Sequence, residues 1–436
     1  MTDSSATSPD RTLPDPTRRT LAVLFGTGLL FWTNITTQLA TIPLYIREFG
    51  STEAQIGIVM GAFAIGLLLA RPQLGKLADL KSRVLVLRIG CAIAAIAPLL
   101  YLLVDSIPVL FAVRVFHGVS MAAFTTAYST LVTDIAPPQR RGEAIGYMSL
   151  VTPLALGFGP ALGNEIARQQ GFTAMFATSA VLGVLSLGLS LPIAEATHVR
   201  ENRLARQAKP TSHDRAARGE AEKFWSLLLE PRLLVPSLTL LLVGTIFGTI
   251  VTFVPLFIDS LEVDLNIGLF YSAAALASFS VRPLVGKTSD TIGRGPFVCL
   301  ALFCYVISMA MLSWAASPVM LLVAGFIEGA GAGALIPTTL AIVSDRSQPE
   351  ERGRLFALAI SGFDLGVALA GPLLGLVAGV LGYRSLFAIA SAMATIGLLF
   401  FSTQNSKNLG HSLRFSLGRE RDVYAIDVPA IASDRA

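Results

Sequence analysis

Apolar runs of about 20 residues or more alternate with short charged segments along the whole 436-residue chain. A run of that length crosses a bilayer's hydrocarbon as a helix. Barrel strands would instead give short alternating segments, and helices and closed barrels are the two structures that satisfy their backbone in lipid. The pattern therefore predicts an all-α membrane protein with twelve transmembrane helices. The spans fall near 20–46, 54–75, 84–104, 107–131, 143–168 and 172–193, then 232–258, 266–286, 296–315, 318–343, 354–379 and 383–402.

Polar segments divide these spans into two sets of six. Residues 1–19 read as a cytoplasmic N-terminal tail without a cleavable signal, because the first apolar run is too long for a signal peptide. Residues 20–193 form one six-helix bundle and 231–402 a second. Residues 194–230, rich in Arg, Ala, Glu and His, read as a cytoplasmic linker, with a short amphipathic helix around Phe224, Trp225 and Leu228. Residues 403–436 read as a polar, mobile C-terminal tail.

The two sets are copies. RPQLGKLADLKSR (71–83) returns as RPLVGKTSDTIGR (282–294), with six of thirteen positions identical at an offset of 211. At the same offset Asp134, Pro138, Arg141 and Gly142 map onto Asp345, Pro349, Arg352 and Gly353. GPALG (159–163) is answered by GPLLG (371–375), shifted by one. Parallel duplication of six spans implies two pseudo-symmetric six-helix bundles about an axis along the membrane normal, with a substrate site near the midplane between them.

Composition agrees. The chain is 53% hydrophobic and 14% charged, with a mean hydropathy of +0.65, whereas a soluble domain is nearer a quarter charged. With both ends inside, the inner segments carry 26 of the 33 Lys and Arg, and the outer loops carry three, Arg47, Arg168 and Arg384. This bias predicts an integral multi-pass protein of the cytoplasmic (inner) membrane with both termini cytoplasmic. The net charge of +4 gives no reason to expect nucleic acid. Cys91, Cys299 and Cys304 lie in apolar runs without metal spacing and read as core residues.

These residues resemble the major facilitator superfamily over nearly the whole chain. The family's loop pattern G-x-x-x-D-x-x-G-R appears as Gly75, Asp79 and Arg83, with Ser82 in the usual Gly place, and again as Gly286, Asp290, Gly293 and Arg294. The helix 4 motif R-x-x-x-G appears as Arg114 and Gly118. The helix 5 motif G-x-x-x-G-P-x-x-G appears in part as Gly159, Pro160 and Gly163, with Ala155 in the first Gly position. That motif is associated with exporters, especially proton-linked drug antiporters, so the resemblance implies the major facilitator fold and the twelve-helix drug/sugar efflux group.

Each charged loop reads as a gate. Gly75 lies one turn before Asp79, where backbones can approach closely. Asp79 can accept from a helix N-terminus or pair with Arg83 or Arg141. A latch built from Gly75, Asp79, Arg83, Asp134 and Arg141, and from Gly286, Asp290, Arg294, Asp345 and Arg352, would hold the cytoplasmic side shut.

Ionisable groups at membrane depth are functional candidates. Arg114 is one, and its family counterpart faces the central cavity. His117 follows it by three residues, and its repeat mate at offset 211 is Glu328. Asp364 in the eleventh span is the other deep carboxylate, able to carry the coupling proton, pair with Arg114 or contact a cationic substrate. Glu165, Glu195, Asp105 and Asp259 lie nearer span ends, where water can reach them. The first span holds no acid, unlike many drug/proton antiporters, which leaves neutral polar binding through Asn34, Gln38, Tyr45, Thr125 and Tyr128. Span seven adds Phe247, Thr249, Thr252 and Phe253 as a cavity wall, and Gly118, Gly159, Pro160 and Gly163 read as helix-packing residues.

The reading that follows is a secondary active transporter working by alternating access, with proton-coupled efflux of a small organic solute. Proton-coupled uptake is the alternative left open by the missing acid. The expected partners are a small-molecule substrate, protons and the lipid bilayer, with the chain a monomer. No G-x-x-x-x-G-K-[ST] loop supports ATP use and no cofactor is expected. Three of the four histidines (His198, His213, His411) lie in the linker or tail, which disfavours an enzyme. A non-transporting receptor on the same scaffold is the remaining class.

Overall fold

The computed structural model describes residues 15–137, 140–194, 230–348 and 351–426. The expected helix around Phe224, Glu195, and the loop residues Pro138 and Pro349 lie outside the described residues. The helices are α1 (Asp15–Thr37), α2 (Ile42–Glu48), α3 (Glu53–Leu80), α4 (Arg83–Tyr101), α5 (Ile107–Ile135), α6 (Arg141–Met148) and α7 (Val151–Ser190), followed by α8 (Pro231–Ser260), α9 (Gly268–Ile292), α10 (Gly295–Trp314), α11 (Pro318–Asp345), α12 (Arg352–Gln404) and α13 (Leu409–Ser416). Local sequence sets several starts. Thr52 and Gln55 form a capping box before α3, and Ser82 and Ser317 accept from the first turns of α4 and α11.

Among the described residues, ten helical stretches are long and apolar enough to cross a membrane. Two of them turn back on themselves. Within α7, Gly171 has φ 85°, a left-handed value that glycine adopts freely. Adjacent residues of α1 then touch both legs: Thr36 Oγ1 donates to the Ala155 carbonyl at 3.0 Å, and Thr37 Oγ1 lies 2.9 Å from Ser179 Oγ. A straight helix would hold Ala155 and Ser179 about 36 Å apart. Within α12 the break is Gly382, φ 77°. Its two flanks, Glu351 and Asn405, both join the surroundings of Arg346, although a straight helix would separate them by about 80 Å. Ten stretches with two doubled give the twelve passes.

The passes form two pseudo-symmetric bundles. In the first, α5 packs on α3 and α4, and α7 on α1 and α4; in the second, α11 packs on α9 and α10, and α12 on α8 and α10. The symmetry holds at single contacts. A Cβ on Gly118 would collide with the Phe63 carbonyl, and a Cβ on Gly329 with the Ala274 carbonyl. Both members of that second pair stand 211 residues after their counterparts. Small residues at such crossings let helix backbones approach, the usual way helices associate in lipid. The bundles meet along two seams, α3 against α12 and α7 against α9.

The polar stretch after Ser402 is not loose as far as Ile426. Arg346, fully buried, donates to Asp422 at 2.6 Å, to Asn405 Oδ1 at 3.0 Å and to the Arg232 carbonyl at 2.9 Å, and its guanidinium lies 5.1 Å from the Tyr424 ring. The Ile426 amide donates to the Asp345 carbonyl at 2.8 Å. A buried guanidinium requires such acceptors, and the tail supplies them. Beside it Arg232 bonds Glu351 at 2.8 Å. Burial pushes the Glu351 carboxyl up, but these bonds outweigh it and hold the group below its usual range.

Candidate functional site

The two ends of the seams differ. At the end opposite the repeated charged loops, the halves are cross-bonded. Gly57 and Gly371 meet backbone to backbone, and Gly268 meets Pro160 and Ala161 in the same way. Tyr383 donates to Glu53 at 2.6 Å. Asn266 donates to the Ala161 carbonyl at 3.0 Å and to Glu165 at 3.1 Å, while the Ile267 amide donates to Asn164 Oδ1 at 3.1 Å. Arg47 is ion-paired with Asp259, and these two help line a surface cavity of about 300 Å³ with Glu48, Arg168 and Phe172. Glu165 and Asp259, expected to be simply solvated near span ends, are therefore ties between the halves. Sequence reasoning also missed Asn164, Asn266 and Tyr383, whose partners lie about 100 residues or more away.

The cross-bonding ends at Arg71 and Asp364, a half-buried ion pair between α3 and α12. Pairing with Arg114, one of three expectations for Asp364, is thus replaced by pairing with Arg71. Asp364 lies on the α12 face that meets α3, whereas Arg114 projects among α3, α4 and α5 inside the first bundle.

Beyond that pair, toward the charged loops, no polar bond joins the halves among the described residues. Ideal Cβ atoms at Gly75, Gly142, Gly286 and Gly353 would meet open space. The close approach expected at Gly75 is thus absent in this conformation, because the halves splay apart there. The loop charges pair within each half. Arg83 pairs with Asp134 and, 211 residues on, Arg294 pairs with Asp345 at 3.4 Å and with Asp290 at 2.5 Å. The partner of Arg83 is therefore Asp134, where Asp79 had been one expectation. Asp79 and Arg141 have no ion-pair partner among the described residues, and Arg352 keeps a buried Nε without an acceptor. In this open state the loop charges beyond Arg71 brace each bundle's own loops, and among the described residues none of them ties one bundle to the other.

Arg114, 7% exposed, stacks 4.8 Å from the Phe63 ring and points Nη2 at Met60 Sδ, 3.8 Å away. His117 Nδ1 lies 3.0 Å from the Tyr101 hydroxyl, and its Nε2 is buried without a partner. In the second bundle Glu328, 4% exposed, stands beside Tyr305 and Tyr271 and keeps Oε1 unpartnered. Each half thus buries one titratable side chain of its fourth span against a tyrosine of its third.

Several expected cavity residues point elsewhere. Asn34 is fully buried, its amide donating to the carbonyls of Ala94 and Ser179, so it lies between α4 and α7 within the first bundle. Gln38 Nε2 caps the Asn34 carbonyl at 3.0 Å. Tyr128 packs over Gly28 and stacks on Phe124, and Phe253 is fully buried in the second bundle's core. Thr125 is half-buried and donates to the Met121 carbonyl, and Phe247 lies 5.6 Å from Phe363 of α12. Gly159 and Gly163 press on Thr36 and Thr37 of α1, with Pro160 beside Gly268.

Residues 24–319 and, overlapping them, 266–419 match the Major Facilitator Superfamily. The chain belongs to that superfamily. It is 26% identical over 371 residues to the multidrug resistance protein MdtG of Serratia proteamaculans (strain 568), covering 82% of this chain and 87% of that protein. It is 25% identical over 364 residues to the staphylopine export protein of Staphylococcus aureus (strain Mu50), covering 81% and 88%. Among solved structures it resembles a bacterial homologue of the human lysosomal transporter Spinster in an inward-facing, occupied conformation, with a TM-score of 0.73 at 16% identity, covering 89% of this chain and 97% of that one. The superfamily's members are membrane transporters of small molecules, and this chain is not an enzyme.

Proposed function

We propose that this protein is a secondary active transporter that works by alternating access and exports a small organic solute in exchange for protons. The observation that carries the reading is the asymmetry of the seams, bonded from one end as far as Arg71–Asp364 and open beyond. Alternating access requires two such states related by rocking of the bundles. The skew of Lys and Arg toward the loop end makes that end cytoplasmic, with both termini there, in an inner membrane. This conformation then opens to the cytoplasm. Gly75, Asp79, Arg141, Gly286 and Arg352, unengaged here, are the parts left to close it as a latch. The name of one relative, the staphylopine export protein, supports efflux.

Glu328 and His117 are the proposed proton sites, with Asp364 and Arg114 coupled to them. A carboxyl with an unpartnered oxygen inside a bundle is costly unless it can take up a proton. No cofactor enters this scheme, and the transporting unit is one chain of two bundles, 20–193 and 231–402, joined by 194–230.

The test uses everted vesicles, acid inside, with panels of lipophilic cations, sugars and carboxylates. Solute-dependent proton release, lost in Glu328→Gln or Asp364→Asn, supports antiport. Solute equilibration without proton movement overturns coupling. Proton and solute moving in the same direction would instead establish uptake symport, the second reading, which the missing acid in the first span favours.

A further inference from the structure

Arg71 and Arg282 open the two copies of the repeated segment, and each lies fourteen residues after a glycine, Gly57 and Gly268. Fourteen residues are nearly four helical turns, so glycine and arginine share almost one face, about 21 Å apart. Both glycines press on the other bundle, Gly57 on Gly371 and Gly268 on Pro160 and Ala161. The second seam continues toward Arg282 through Gly157, whose ideal Cβ would lie 3.8 Å from Ala275 Cβ. Both arginines therefore sit on a face that looks at the opposite bundle.

Their partners differ. Asp364, which pairs with Arg71, lies seven residues before Gly371. The residue seven before Gly159, the counterpart of Gly371, is Thr152. From Val151 to Asn164, α7 offers no acid at all. Arg282 accordingly has no ion pair or side-chain hydrogen bond among the described residues, and its Nε is buried without an acceptor. Arg282 lies four residues, about 6 Å, before the end of its apolar span at Gly286, on the side where the halves part. When the loop ends close, α7 still brings no carboxylate to it.

A guanidinium that faces the opening between the halves with no protein acceptor is free to take an anion, and its planar fork matches a carboxylate with two parallel bonds. Resting on the transport reading above, we infer that Arg282 is the docking point for a carboxylate on the transported solute, which makes the substrate an organic acid or zwitterion. Arg71–Asp364 is the same device with its anion built into the protein. Arg282 is the copy whose anion arrives with the cargo.

The experiment measures protein-dependent uptake into everted vesicles of dipeptides and N-acylated amino acids, each offered as the free carboxylate and as its C-terminal amide. Tetraphenylphosphonium is the cationic probe. The expected result is uptake of acids about tenfold above their amides, a difference of about 1.4 kcal/mol. Arg282→Gln should erase that preference and Arg282→Lys should keep part of it. Thr152→Asp, which leaves Arg282 in place but gives it an internal partner, should lower acid uptake by about tenfold while the protein remains folded. Amides moving as well as acids, or an unchanged acid preference in Arg282→Gln, overturns the inference. Movement of tetraphenylphosphonium but of no acid sinks it while sparing transport. No flux of any probe removes the transport reading and this inference together.

Discussion

Arg71 of the first bundle and Asp364 of the second form the last polar tie between the halves before they part. Among the described residues the other polar ties between the halves lie on one side of this pair and none lies on the other. Asp364→Asn leaves a cation at the seam with a weaker partner. The expected loss of stability is about 2 kcal/mol, below the ~3–5 kcal/mol of a fully buried pair because both groups retain some exposure. Thermal unfolding in detergent measures it. The exchange Arg71→Asp with Asp364→Arg should recover at least half, and a double variant no better than the sum of its singles would show that the two do not act as a pair.

The opposite end depends on contacts such as Arg47–Asp259. Cysteines at these two positions, bridged by a short bifunctional thiol reagent, should hold that end shut and stop transport, with recovery on reduction. Continued turnover after complete bridging would mean that this end need not open.

Glycine size should matter in opposite ways on α5 and α3. At Gly118 an added side chain meets the Phe63 carbonyl, so Gly118→Val is expected to cost about 1–3 kcal/mol through overpacking, and Gly329→Val likewise against Ala274. At Gly75 the space is open. Gly75→Leu should leave unfolding unchanged yet slow transport by blocking closure. Equal melting losses at Gly75 and Gly118 would contradict this division.

The tail clamp makes a separate prediction. Asp422→Ala leaves Arg346 buried with one anion fewer, at an expected cost of about 3 kcal/mol. Limited proteolysis should then cut between 405 and 426 faster than in the unaltered protein, and Arg346→Met should lose less than Asp422→Ala because it removes the stranded charge.

Acid should loosen the same region through Glu351. Its folded carboxyl titrates below its ordinary value of 4.5. The bond to Arg232 is therefore fully formed above that value and lost as pH falls through the lower folded one. Glu351→Gln should flatten the part of the stability profile that lies below pH 4.5.

Much of this architecture is legible in the sequence because the determinants are local or duplicated. Spans announce themselves by length, and the offset between copies locates Gly118 and Gly329 as equivalent contacts. The direction of a side chain on a helix that is apolar all round is not legible, since no polar face marks which side meets which neighbour. Asn34 turned into its own bundle for that reason. Asp364 found Arg71 because two glycines, Gly57 and Gly371, set the register of α3 on α12, and that register exists only once both bundles are folded. The pairs Arg83–Asp134 and Arg294–Asp345 were within reach of the sequence, as both members recur at one offset, but proximity of two loops had to be supplied by the fold.

The reversals at Gly171 and Gly382 bear on how the protein is made. A turn of one glycine leaves no loop between the legs of α7 or of α12. Neither leg has slack to settle in the bilayer before the other. Each pair can then partition as a single hairpin once both legs have left the ribosome.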